Sequence, residues 1–306
     1  MSPERSEVTD FLRHLSDERQ LSPNTIKAYR RDLAQLEEFL TEYFATERWE
    51  WTDDEIDRLS LRSFLGWCGR RGLSKRSIAR KLTSTRTFFA FLHLDDRVPQ
   101  NPARTVRAPK IDRRLPGHLT GGDVATIFEH AERQAEDNTL AGTRTLVIME
   151  LLYGSGLRLS ELHGLDLRAV DRSTRQMRVT GKGSKERIVP VTESSLRALG
   201  RYESRRLEVT SAAEDALLVN ARGMRLSRRS IQTAVRGCLE TAAGGRGLST
   251  HSLRHTFATH LMEAGADLLA VKELLGHVSL SSTQIYTHTN KERLLRVYRG
   301  AHPRSD

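Results

Sequence analysis

At 306 residues, with 38% hydrophobic and 29% charged residues, the chain is long enough for two domains that each bury a core. Its formal net charge of +10 favours a polyanionic partner, nucleic acid first, and a solvated basic surface is the plainer alternative. No apolar run approaches ~18 residues, so no membrane span is expected. The two cysteines, Cys68 and Cys238, lie far apart in helix-like sequence, which fits a reducing compartment and predicts neither a disulfide framework nor a metal centre.

Residues 7–94 read as helices. Ser22 followed by Pro23 is a helix cap with proline at the first helical position. Ile26, Tyr29, Leu33, Leu36 and Leu40 then recur at spacings of three and four. A third helix is expected over Leu61–Arg70, ending near Gly72. Ser74 caps a fourth with the stripe Ile78, Leu82, Thr85, Phe89, Leu92, while Lys75, Arg76, Arg80 and Arg86 make up its other face. The expectation is a small bundle with one basic face.

From Arg62 to Arg114 there are fourteen lysines and arginines against three acids, more than the excess of the whole chain. Within this stretch and just beyond it, Pro99, Pro102, Pro109 and Pro116 interleave with Arg104, Arg107, Lys110, Arg113 and Arg114. Proline prevents helix, so an extended basic strap over 96–116 is expected, tracking a phosphate backbone. A passive linker is the alternative.

Thr120 with Asp123 opens the second domain as a capping-box variant. Helix is expected over Thr143–Tyr153 and Leu159–Leu165. Residues 176–191 switch to period two around the turn Gly181-Lys182-Gly183-Ser184, which predicts a hairpin. A helix near 193–208, a short strand near 217–219, a helix from Ser227 and helices through 251–288 complete the reading.

Chemistry-bearing residues fall in this half. Arg158 follows Gly154-Ser155-Gly156, and its planar fork suits two phosphate oxygens, although a pairing with Glu161 is the plainer reading. The Gly-x-Gly lacks the third glycine of a dinucleotide fingerprint and no P-loop occurs, which argues against ATP-driven chemistry. Lys182 sits at the hairpin tip, either as a proton donor or as a polar turn residue.

His251 and Arg254, three apart, share a helix face. His251 and His255 have metal-helix spacing, but the glutamate of His-Glu-x-x-His is missing. His255 and His260 read as structural histidines. His277 follows Gly276, a helix C-cap. Tyr286 alone reads as a packing aromatic. As a nucleophile it needs a base or neighbouring cations, because a phenol titrates near about 10.

Taken in order, Arg158, Lys182, His251-x-x-Arg254, Leu274-Leu275-Gly276-His277 and Tyr286 resemble the signature of the tyrosine recombinase (phage integrase) family. Thr250–Leu261 and Ser282–His288 look like the Xer branch, and Val297–Arg304 looks more like its XerC type than its XerD type. The resemblance spans essentially the whole chain, with no departure at a catalytic position. It implies a mainly α fold with a small antiparallel β-sheet in the second domain, arranged as a two-domain C-clamp. An α-helical core-binding, SAM-like domain (1–95), the basic linker (96–116) and an α+β catalytic domain with a C-terminal tail (117–306) are expected.

The resemblance also implies roles. Tyr286 would attack the scissile phosphate, Arg158 and Arg254 would hold its non-bridging oxygens, and Lys182 would protonate the leaving 5′-oxygen. His251 would assist proton transfer and His277 would donate to a phosphate oxygen. No cofactor or metal is implied. The implied partners are duplex DNA at a specific recombination site, a XerD-like sister recombinase in a tetramer with two of each, and a septal DNA translocase. The implied setting is chromosome partition at cell division in the cytoplasm. The alternatives are a phage or mobile-element integrase, a non-enzymatic DNA-binding regulator and a metal-dependent nuclease.

Overall fold

Ser22 accepts a hydrogen bond from the Thr25 amide at 3.3 Å, with Pro23 in the first turn, and launches the longest helix of the chain's first half. The computed structural model describes residues 5–111, 119–181, 186–211, 214–243, 248–276 and Tyr298. The chain divides into two units, Met1–Arg114 and Leu115–Asp306.

Four helices build the first unit: α1 (Ser6–Asp17), α2 (Pro23–Phe44), α3 (Arg58–Arg70) and α4 (Lys75–Leu94). The predicted third helix starts three residues early because Asp57 caps it, accepting from the Leu59 and Ser60 amides at 2.8 Å each. The stripe predicted for α4 is buried throughout, and Trp51 meets Phe88 edge-on at 4.7 Å. Between α2 and α4 lies a buried carboxylate. Asp32 accepts from Lys81 Nζ at 2.9 Å and Ser84 Oγ at 2.8 Å, and pairs with Arg80. Lys81 is therefore a core residue despite belonging to the basic run.

The strap differs from expectation. Residues 97–106 fold as bends and turns on the bundle, with Val98, Ala103 and Val106 in its core. Arg86 fixes them, donating from Nε to the Ala103 carbonyl at 3.1 Å and from Nη2 to the Val106 carbonyl. The prolines exclude helix, but three apolar side chains still found a core to enter. Chain without helix or strand follows Val106 as far as Ile111.

In the second unit, Thr120 and Asp123 cap α5 (Gly121–Glu136) reciprocally, at 2.9 and 3.2 Å. Helix α6 (Leu140–Gly154) is buried on all sides from Leu146 onward, and α7 (Leu159–His163) is a short helix behind it. The strands β1 (Val170–Asp171), β2 (Gln176–Thr180) and β3 (Glu186–Pro190) form an antiparallel sheet in the order β1-β2-β3, with Met177 opposite Val189 and Val179 opposite Arg187. Next come α8 (Glu193–Leu207), α9 (Arg228–Ala243), α10 (Thr250–Glu263) and α11 (Leu268–Leu275).

The strand predicted near 217–219 is absent. Two isolated bridges, Asp166 with Ala216 and Val219 with Arg225, bracket Leu217 and Leu218, which are buried without a partner strand. The helical sequence predicted from Gly276 to residue 288 lies outside the described residues beyond Gly276 itself; farther on, Tyr298 is described and is buried in the core of this unit. No helix among the described residues is long and apolar enough to cross a membrane.

Candidate active site

Helix α11 ends where Gly276 turns left-handed, at φ +66°. Helix ends leave carbonyls without intrahelical partners. Here three consecutive carbonyls each accept from a different arginine. Arg187 Nε reaches the Leu274 carbonyl at 3.1 Å, Arg254 Nη2 the Leu275 carbonyl, and Arg158 Nη2 the Gly276 carbonyl at 3.4 Å. The negative end of the helix dipole favours cations at this position.

The same three arginines surround Glu161. Arg158 donates to it twice at 2.8 Å, from Nη1 and from its backbone amide. Arg187 grips both carboxylate oxygens, at 2.6 and 3.0 Å, and Arg254 Nη1 stands 3.8 Å away. The Glu161 side chain is only 1% exposed. Burial alone raises its pKa, but the Arg187 fork and the Arg158 donors outweigh burial and hold the carboxyl below its ordinary value.

Three guanidiniums against one carboxylate leave the cluster with uncompensated positive charge, as an anion site requires. Their exposure is graded. The side chain of Arg187 is 9% exposed and that of Arg254 7%, whereas that of Arg158 is 31% exposed and faces solvent. Burial and the neighbouring Arg158 lower the Arg254 pKa to about 10, so it is still a cation at neutral pH.

Local sequence explains the convergence. Arg158 is the N-cap residue of α7, and Glu161 lies three residues on, where its carboxylate accepts from the Arg158 amide. The pairing of Arg158 with Glu161 and its place beside Arg254 therefore coexist. Arg254 lies on the buried face of α10 and also donates to the Gly156 carbonyl at 2.5 Å.

Other predicted residues stand as follows. His251 is exposed on the first turn of α10, three residues before Arg254. His260 is buried and bonded to the Tyr153 hydroxyl at 2.9 Å and the Leu119 carbonyl at 3.1 Å, whereas His255 is exposed. Lys182, His277 and Tyr286 lie outside the described residues. Among the described residues, no group of three or more His, Cys, Asp or Glu could hold a metal ion.

Of the basic residues expected to touch DNA, Lys75, Arg76, Arg104, Arg107 and Lys110 are exposed. Arg80 is exposed but tied to Asp32, and Arg86 is engaged with the Ala103 and Val106 carbonyls. Arg113 and Arg114 lie outside the described residues.

Sequence reasoning missed Arg187. The available signal was its position. Alternation places it on the same strand face as buried Val189, and a charged residue at a core-facing position needs a buried partner.

The phage integrase family model matches residues 118–293, and the model of the phage integrase N-terminal SAM-like domain matches residues 8–95. The chain belongs to the phage integrase family.

Relatives within this family support the assignment along the full length. A tyrosine recombinase XerC of Natranaerobius thermophilus is 40% identical, over 98% of this chain and 100% of the relative. One from Pelobacter propionicus is 41% identical, over 100% and 98%. The structure of XerH site-specific recombinase bound to palindromic difH substrate has the same fold, with a TM-score of 0.66 at 21% identity over 95% of this chain and 84% of that one. The lambda integrase (75–356) dimer bound to a COC′ core site also does, with a TM-score of 0.67 at 16% identity over 92% and 97%. The mainly α fold with a small antiparallel sheet is the one the sequence implied, and the recombinase is a site-specific tyrosine recombinase.

Proposed function

We propose that the arginine cluster around Glu161 grips the scissile phosphate of duplex DNA, with Tyr286 as the nucleophile. The supporting observation is the meeting of Arg158 and Arg254 at one buried carboxylate and one helix end, immediately before His277 in the chain. Arg158 and Arg254 hold the non-bridging oxygens and stabilise the charge that grows on them, a contribution worth ~10²–10³ in rate per donor.

The Tyr286 phenol, losing its proton with help from His251, attacks phosphorus. The phosphorus–5′-oxygen bond breaks, Lys182 gives a proton to the leaving oxygen, and a 3′-phosphotyrosyl bond remains. His277 donates to a phosphate oxygen. A second strand's 5′-hydroxyl then attacks this phosphotyrosine and returns the tyrosine, so the phosphodiester is rebuilt without ATP.

Lys75, Arg76, Arg80, Arg104, Arg107, Lys110, Arg113 and Arg114 are assigned to the phosphate backbone, whereas Arg86, whose guanidinium holds the Ala103 and Val106 carbonyls, is not. The division into 1–95, 96–116 and 117–306 is supported by family matches that stop at residue 95 and resume at 118. The XerC names of the relatives support a XerC-type recombinase. Resolution of chromosome dimers in the cytoplasm, with a XerD-like partner in a tetramer of two of each and a septal DNA translocase, belongs to the same proposal.

The test is covalent capture. The protein is incubated in EDTA with nicked suicide duplexes cut from the source organism's own DNA and resolved under denaturing conditions. A protein–DNA adduct is expected from the wild type and none from Tyr286→Phe. An adduct that survives that substitution overturns the tyrosine assignment.

A further inference from the structure

Arg187 has no part in the reaction as described, yet it is the most fully engaged of the three arginines. It holds both oxygens of Glu161 and the Leu274 carbonyl at once. Its seat is shaped around it: a Cβ on Gly276 would stand 3.3 Å from its guanidinium carbon. It also comes from β3, so it ties the hairpin strand to the starts and ends of two helices.

We propose that Arg187 is a positioning residue for strand cleavage, acting through Glu161 on Arg158. The inference rests on the recombinase reading above. The reasoning concerns what Glu161 would do alone. A carboxylate this buried must be neutralised and hydrogen-bonded. With Arg187 spanning both oxygens, it takes only one side-chain nitrogen of Arg158, Nη1. The second, Nη2, has just the long 3.4 Å bond to the Gly276 carbonyl and stays available to a phosphate. Without Arg187, the carboxylate draws the whole Arg158 fork inward and the phosphate loses its outer clamp.

Lysine cannot substitute, because one ammonium is a point charge where a planar fork is needed. The effect is a displacement of Arg158, which at a reacting centre costs about 10²-fold in rate. DNA affinity depends on many phosphate contacts and changes little.

The experiment compares wild type, R187Q, R187K, E161Q and the E161Q/R187Q double variant on the captured suicide duplex. Single-turnover cleavage at saturating DNA, DNA affinity and thermal midpoint are measured for each. R187Q is expected to bind within about threefold of wild type and to cleave about 10²-fold slower, with little recovery in R187K. The double variant is expected to be no slower than R187Q alone, since both changes break one linkage. If R187Q does not fold, R187K, which keeps the charge, carries the same comparison.

Wild-type cleavage by R187Q overturns the inference. So does a loss of affinity and thermal midpoint in parallel with rate, or an additive double variant. An absence of adduct from the wild type removes the recombinase reading itself, and this inference with it.

Discussion

Gly156 faces the ring of Phe257 so closely that a Cβ at residue 156 would stand 2.6 Å from the ring carbon Cδ1. Its φ of +60° is also one that L side chains rarely adopt. The carbonyl of the same glycine accepts from Arg254, and Phe257 follows Arg254 by one helical turn on α10. The turn between α6 and α7 and the seat of Arg254 are thus a single packing arrangement.

Gly156→Ala is therefore expected to lower stability by about 2–4 kcal/mol, from overpacking plus left-handed strain. The Phe257 ring is packed in the core, so relieving the contact is expected to shift α10, and Arg254 with it. Cleavage of the suicide duplex should fall more than the thermal midpoint explains. A folded Gly156→Ala protein with wild-type cleavage would break the link between this turn and Arg254.

Glu161 makes stability depend on acid. Its pKa is lower folded than unfolded, so the carboxylate stabilises the fold fully above the ordinary glutamate value of about 4.3. That contribution is lost as pH falls through the lower folded value. Glu161→Gln removes it and leaves buried guanidiniums without their counter-charge, an expected cost of about 3–5 kcal/mol at pH 7. Thermal melts from pH 7 down to strong acid should show a steeper decline for wild type than for Glu161→Gln. Parallel curves would mean that the carboxylate is not ionised in the fold.

Local signals carried the helices. Ser22-Pro23, Ser74 and the Thr120–Asp123 box launch α2, α4 and α5, because a cap depends on residues three apart in sequence. The arginines of the site could be picked out singly, but their meeting could not. Arg158 and Gly276 lie 118 residues apart, and only packing brings that guanidinium to that carbonyl. Alternation could have flagged Arg187 as core-facing beside Val189, but not Glu161 as its partner, which lies 26 residues away and meets it only through packing. Val98, Ala103 and Val106 were hidden among prolines and charges that dominate the texture of their segment.

Arg86 and Arg104 should separate by what they lose. Arg86 holds two carbonyls of the 97–106 turns, so Arg86→Ala is expected to cost about 2–3 kcal/mol of stability in the first unit. Arg104 is exposed. Arg104→Ala should leave the thermal midpoint unchanged and reduce the slope of log affinity against log salt by about 1. DNA titrations at several salt concentrations, alongside melts, check both. An unchanged slope for Arg104→Ala would remove it from the phosphate contacts.

Burial pushes the thiols of Cys68 and Cys238 up to about 11, so almost none is thiolate at pH 8. Neither should react with a disulfide reagent in the native protein, and both should react on unfolding. Rapid release of one equivalent from the folded chain would show that one of these sites opens readily.

Tyr298 ties a residue of the tail to the unit that carries the site. It is 2% exposed, its ring lies 6.3 Å from that of Phe257, and its hydroxyl donates to the Gly154 carbonyl at 2.5 Å. Burial raises its pKa well above the ordinary tyrosine value, so it is a neutral donor at neutral pH. Tyr298→Phe leaves the carbonyl without that donor and should cost about 1–3 kcal/mol. Tyr298→Ala also opens a cavity beside Phe257 and should cost about 3–5 kcal/mol. Because the contact is within one chain, both losses should be independent of protein concentration in DNA-free melts. A loss that grows on dilution would instead place Tyr298 on a second copy, since only an intermolecular contact obeys mass action.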